Sequence, residues 1–316
     1  MTKSRLSRLA VGALIGIPAS AAALAASQAL AAPAQQPLQV SPRSVQIAYG
    51  HDVVVRGTAA ASEAGHPVVL EFAPRGQSNW RQLSSTTIGP TGQFRLTGAM
   101  TQSGTVRAVD ISTGSLTPFV ARGSSDAGLP VSAPVPVNVA ARVRVPNRQI
   151  AVLGGQAFEI RGRLLLARMG RKVSLQGRQG GRWQTLATAR TGSAGRFVLR
   201  SVAAGIGQER VRVRFAGDRL NGQATADAGQ VTVFREAGAS WYYDGGNTAC
   251  GFHAYYGVAN RTLPCGTQVA LLYNGRSITA TVDDRGPFVG GRDWDLNQTT
   301  AAALGFGGVG TVWSSQ

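Results

Sequence analysis

The chain has 316 residues, a formal net charge of +17, 41 glycines, 7% aromatic residues and only two cysteines. That length allows two or three domains, each burying its own core, and the glycine-rich, aromatic-poor composition argues against a helical protein and for short strands joined by turns. The three histidines, His51, His66 and His253, are scattered with no ligand-spaced cluster, so neither a metal nor another cofactor is expected.

Lys3, Arg5 and Arg8 form a basic n-region, an alanine-dominated apolar run from Leu9 to Ala26 follows, and Ala29-Leu30-Ala31 is a small-x-small cleavage site. Residues 1–31 are therefore read as a secretory signal peptide. Pro18 and the alanines make a poor membrane span. No cysteine precedes Cys250 to carry a lipid, and nothing later is apolar enough to cross a bilayer. The mature protein is expected to be secreted, in the extracellular space or the cell wall, with no membrane anchor after cleavage.

Residues 32–39 read as an Ala/Pro/Gln linker. Two segments then repeat one another. GHDVVVRG from Gly50 matches GQAFEIRG from Gly155, Trp80-Arg81-Gln82-Leu83 matches Trp183-Gln184-Thr185-Leu186, and Gly92-Gln93-Phe94 matches Gly195-Arg196-Phe197. Thr105-Val106-Arg107 matches Arg210-Val211-Arg212, so the offset stays between 103 and 105 residues. This is the signature of a tandem duplication. Each copy, 40–138 and 139–236, has short alternating strands and equivalent turns, a pattern that fits an immunoglobulin-like β-sandwich. Trp80 and Trp183 are expected to help fill the cores, and the proline-rich run from Pro130 to Pro136 reads as the joint between copies.

Charge is uneven: residues 139–236 carry 18 Lys+Arg against 5 Asp+Glu, while residues 237–316 carry 4 against 5. Export disfavours nucleic acid as the partner of the basic segment. Anionic wall polymers are the natural alternative, and a merely solubilising arginine-rich surface is the other reading.

From Gly238 arginines thin out and tyrosine, glycine and asparagine rise. Ala239–Tyr243, Gln268–Tyr273 and Ser277–Val282 read as strands, the last two joined by a tight turn at Asn274-Gly275-Arg276. Gln298–Leu304 reads as a short helix with Asn297 as N-cap and Gly305 just past its end. Gly310–Ser314 would close a small barrel over 237–316. Cys250 and Cys265, in an exported chain, are expected to pair. Val282-Asp283-Asp284-Arg285-Gly286-Pro287-Phe288 places two carboxylates where a strand empties into a turn, a rigid base from which to present an acid.

Several motifs in this last segment occur in a family order: Ala239-Ser240-Trp241-Tyr242, Thr248-Ala249-Cys250-Gly251, Arg261-Thr262-Leu263-Pro264-Cys265-Gly266-Thr267, Asp284-Arg285-Gly286-Pro287-Phe288 and Trp294-Asp295-Leu296. Together they resemble the double-psi β-barrel of rare lipoprotein A (RlpA), related to expansins and barwin-like domains. The cysteine pair resembles that of secreted actinobacterial and barwin-like members. The resemblance implies a peptidoglycan lytic transglycosylase, which needs an acid for the leaving oxygen and a base for the sugar's own 6-hydroxyl.

Residue by residue, Asp284 falls on the family's aspartate. The family's glutamate falls on Phe252 and its histidine on Asn260, so two of three polar residues are replaced. His253, next to Phe252, is a candidate substitute or a plain loop histidine. Similarity to expansins and to endoglucanases sharing this barrel adds Asp295, within Trp294-Asp295-Leu296, and Asp244, after Tyr242-Tyr243. The candidate catalytic set is thus Asp284, Asp295, Asp244 and His253, with Asp295 alternatively capping the helix. Tyr242 with Trp241 or Trp294 would stack on sugar rings, and Asn260 and Arg285 complete the substrate-binding set. Asp283 and Asp293 are expected to be solvated, because strand alternation turns them away from their neighbours. The competing reading is an expansin-like carbohydrate-binding or wall-loosening module that cleaves nothing.

Overall fold

The computed structural model describes residues 38–112 and 129–316. The expected signal peptide and residues 32–37 of the expected linker lie outside the described residues. Leu38, which composition assigns to the linker, is instead a core residue, and Gln39 opens the first strand.

The first copy has two sheets over one core. Gln39–Ser41, Asp52–Thr58 and Gln93–Ala99 form the smaller sheet. The larger runs in the order Val45–Ala48, Val135–Ala140, Gly104–Asp110, Pro67–Pro74, Arg81–Thr87. Alternate residues point inward, Val53, Val55, Phe94 and Leu96 from one sheet meeting Leu70, Phe72, Val106 and Val137 from the other, as a period of two requires.

The second copy repeats this order, with Arg148–Leu153, Ala224–Tyr242, Gly207–Phe215, Lys172–Gln179 and Arg182–Arg190 in its larger sheet. Even the irregularities are repeated: a bulge follows Leu70 in one copy and Leu175 in the other. Trp80 and Trp183 do not fill the cores. Both are half-buried at the rim, with the guanidinium carbons of Arg107 and Arg212 lying 4.0 and 4.1 Å from their ring centres. Phenylalanines fill the interiors instead, because an indole flanked by an arginine gains a cation–π contact at the wet edge that it would lose inside. Nor is Pro130–Pro136 the joint, since Val135–Ala140 is a strand of the first copy. The copies meet around Asn221, fully buried, whose Nδ2 donates to Thr101 O at 3.0 Å, while Ser103 N donates to Leu220 O at 2.7 Å.

The 19-residue strand Ala224–Tyr242 serves two hydrophobic cores. Its first half pairs with Gly207–Phe215, and its second with Gly310–Ser314 and, in parallel, with Trp294–Asn297. The compositional boundary at 236/237 therefore lies inside one continuous strand. From Trp294–Asn297 the pairing continues through Gly257–Ala259, Arg276–Asp284 and Gln268–Tyr273 back to Gly310–Ser314, closing a six-stranded barrel. Its core includes Val258, Val269, Leu271, Val282, Trp294, Leu296 and Val312. Positive φ at Asn274 (46°) and Gly275 (80°) makes the tight hairpin turn. Gln298–Leu304 is capped by Asn297, whose side chain accepts from Thr300 N, and ends at left-handed Gly305. Among the described residues, no helix is long and apolar enough to cross a membrane.

Candidate functional site

The site forms where the strand Arg276–Asp284 leaves the barrel. Regular alternation would turn Asp283 outward, but the pairing slips there: Val258 faces Val282 and Ala259 faces Asp284, leaving Asp283 with no residue opposite. Such a bulge re-aims a side chain. Asp283 turns in beneath Gly257, where any Cβ would lie 2.2 Å from its Oδ2. The expectation that Asp283 is solvated is therefore wrong, for its exposure is 0%. Its Oδ2 accepts from Ala254 N at 2.9 Å and lies 3.7 Å from His253 Nδ1, while Oδ1 has no partner. Burial pushes its carboxyl above the ordinary value, Asp244 adds to this, and the Ala254 amide and His253 oppose it.

Asp284 is partly exposed, and its Oδ1 is held by two amides, Ala249 N and Arg285 N, each at 2.8 Å. The Cys250–Cys265 disulfide ties down the segment that supplies the first of these amides and His253. Asp244 enters from the loop after the long strand. Its Oδ1 accepts from Gly246 N at 2.9 Å, and its Oδ2 lies 3.0 Å from His253 Nε2 without an aligned hydrogen bond. Asp295 accepts from Ser240 Oγ at 2.6 Å across the parallel pair, so the helix cap is Asn297 and not Asp295. Asp293 is part-solvated and accepts from Gly238 N at 3.1 Å.

Tyr242 stands among these acids. Its hydroxyl is buried and unpartnered, and its pKa is raised by burial first and then by the charges of Asp283, Asp284, Asp244 and Asp295. The fold thus gathers four carboxylates from three segments around one phenol. His253, 45% exposed, is their basic neighbour. Together with Asp244 and Asp283 it offers donor atoms all within 4.8 Å of one another. The scatter of histidines along the sequence hides this cluster, because its members come from three separate segments.

Trp294 cannot stack on a ligand, because it lies at 0% exposure in the barrel core. Trp241 is half-buried, edge-on to Tyr243 with ring centres 4.9 Å apart. Asn260 folds its own loop, its Oδ1 accepting from Thr262 N and Leu263 N and its Nδ2 donating to Asp293 O. Arg285 likewise braces the scaffold, donating to Asn260 O and to Cys265 Sγ. Sequence reasoning passed over three exposed aromatics of the barrel's loops as ligand contacts: Tyr243, Tyr255 and Phe288. Their signal was a run of aromatic residues in loops otherwise rich in glycine.

A lytic transglycolase family matches residues 235–313. A probable endolytic peptidoglycan transglycosylase RlpA of Synechocystis sp. is 44% identical over 84 residues, covering 23% of this chain and 26% of that protein. The Aquifex aeolicus protein of the same description is 46% identical over 76 residues, 21% of this chain and 33% of its own length. An endolytic peptidoglycan transglycosylase RlpA of Neisseria meningitidis is 35% identical over 104 residues, covering 30% and 43%. The chain therefore spans less than half the length of these relatives. Among solved structures, a teleost fish polymeric Ig receptor ectodomain aligns over 62% of this chain and 97% of its own, at 11% identity and a TM-score of 0.25, too low to assign a fold. Motif order, closed barrel, family match and the bridged cysteine pair agree on one domain: residues 235–313 are an RlpA-like double-psi β-barrel.

Proposed function

We propose that this chain is exported through residues 1–31 and acts on the glycan strands of peptidoglycan, with Asp284 as the acid–base residue of its C-terminal barrel. The observation that carries this reading is the Asp284 carboxylate, part-exposed at the end of a barrel strand. One of its oxygens is fixed by Ala249 N and Arg285 N, and it occupies the family's aspartate position in a domain matched to lytic transglycolases. In the reaction, the acid protonates the oxygen leaving from N-acetylmuramic acid, the sugar's own 6-hydroxyl closes on the anomeric carbon, and a carboxylate takes up that hydroxyl's proton. The products are a shortened strand and a 1,6-anhydro end, with no water consumed. The other carboxylates around Tyr242 favour the positive charge that develops on the sugar ring. Tyr243, Tyr255 and Phe288 offer exposed faces for the sugars.

The test is digestion of purified sacculi. The intact protein is expected to pellet with them and release anhydro-ended fragments, while Asp284→Asn pellets but releases none. A second reading, binding or loosening without cleavage, is favoured by Phe252 in the glutamate position and by the commitment of Asn260 to its own loop. It predicts pelleting with no new ends from either protein. We further infer that the two N-terminal copies are immunoglobulin-like spacers, the basic one holding anionic wall polymer.

A further inference from the structure

We propose that Asp244, His253 and Asp283 form a binding site for one divalent transition-metal ion of the zinc class. The three donors arrive from the loop after the long strand, from the disulfide-tied segment and from the bulge of Arg276–Asp284, and their ligand atoms all lie within 4.8 Å of one another. This inference shares Asp244 and Asp283 with the acids around Tyr242 and leaves Asp284, the proton-transfer residue of the glycan reading, outside the site.

Two details point to an ion rather than to a self-contained ion pair. Asp244 Oδ2 and Asp283 Oδ1 are both buried without a hydrogen-bond partner, and the Asp244 and Asp283 side chains are only 3% and 0% exposed. Buried carboxylate oxygens without a hydrogen bond are costly, and coordinating a metal is one way proteins resolve them. The 3.0 Å between His253 Nε2 and Asp244 Oδ2 is also not an aligned hydrogen bond. Two ligand atoms each about 2.1 Å from one ion are separated by roughly 3 Å at tetrahedral to octahedral angles. The ring nitrogen and the carboxylate oxygen thus sit side by side as neighbouring ligands do. Two carboxylates balance a divalent charge, and the imidazole selects zinc-type ions over calcium or magnesium. His253 is 45% exposed, so the outer side stays open to a further ligand.

The experiment is calorimetric titration of the purified, chelator-stripped exported chain with Zn²⁺, Ca²⁺ and Mg²⁺, with thermal unfolding beside each. One equivalent of Zn²⁺ should bind and raise Tm, and both effects should be lost in His253→Ala and in Asp244→Asn. Co²⁺ at the same site should give visible absorption bands that vanish in the same variants. Absence of Zn²⁺ binding, or Zn²⁺ binding unchanged in both variants, overturns the site. Equal binding of Ca²⁺ or Mg²⁺ overturns its assignment to a transition ion. Asp283→Asn is a supporting variant only, since its burial invites misfolding. His253→Ala, changed on a half-exposed loop, decides the question.

Discussion

Asp283 and Asp284 are adjacent in sequence and opposite in surroundings: one is sealed beneath Gly257, the other is part-exposed on two amides. Asp284 is legible from sequence because Asp-Arg-Gly-Pro marks a strand end. Asp283 is not, because a bulge breaks the alternation on which the reading depends. A second acid shows the same gap. Asp218 receives Arg171 Nε at 2.9 Å and the amides of Leu220 and Asn221. Burial works to raise its pKa, but the Arg171 hydrogen bond and these amides outweigh burial and bring it below its ordinary 3.8. The unfolded chain then binds the proton more readily than the folded one. The stabilisation is complete above the unfolded value and is lost as pH falls through the depressed one. Asp218→Asn should cost about 1–2 kcal/mol at neutral pH, discounted for its partial exposure, and should flatten the acid limb below pH 3.8. Urea titrations at pH 7 and in that acid range check this; a variant with an unchanged acid limb contradicts it.

At the level of elements, the barrel hairpin and the capped helix are readable from sequence because turn glycines and caps are local chemistry. The short strand Gly257–Ala259 and the double use of Ala224–Tyr242 are not, since both follow from pairing with distant partners. The disulfide connects this level to the site. Replacing Cys250 and Cys265 by serine should remove about 3 kcal/mol through the freed loop. It should also loosen the Ala249 amide from Asp284. A double-serine variant that remains stable and fully active in sacculus digestion would show that the tie is dispensable. Asn221 holds the two copies together by side-chain bonds to Thr101 O and Val139 O. Asn221→Leu should remove this partner from Thr101 O and from Arg171 Nη2 and destabilise by roughly 1–3 kcal/mol, measured by denaturant unfolding.

Over the whole molecule, basic character lies in the second copy and acidic chemistry in the barrel, joined through one strand without a linker. That continuity rules out the obvious deletion, because removing residues 139–236 would cut a barrel strand. Charge substitution is the better probe. Exposed Arg182, Arg190, Arg196 and Arg200 changed together to glutamine should abolish the salt-sensitive part of wall retention while leaving sacculus digestion intact. Retention that keeps its salt dependence would reduce this surface to a solubilising role. The charge asymmetry is plain from sequence, whereas the shared strand that fixes the basic copy to the barrel becomes visible only in the fold.

The central claim is that the acids around Tyr242 cut glycan strands without water, with Asp284 transferring the proton. Mass spectrometry of the soluble products of digested sacculi tests it most directly. The account predicts fragments ending in 1,6-anhydro-N-acetylmuramic acid from the native protein and none from Asp284→Asn. Reducing-end fragments would contradict the mechanism, and the absence of any fragment from native protein on both intact and peptide-stripped sacculi would contradict cleavage itself.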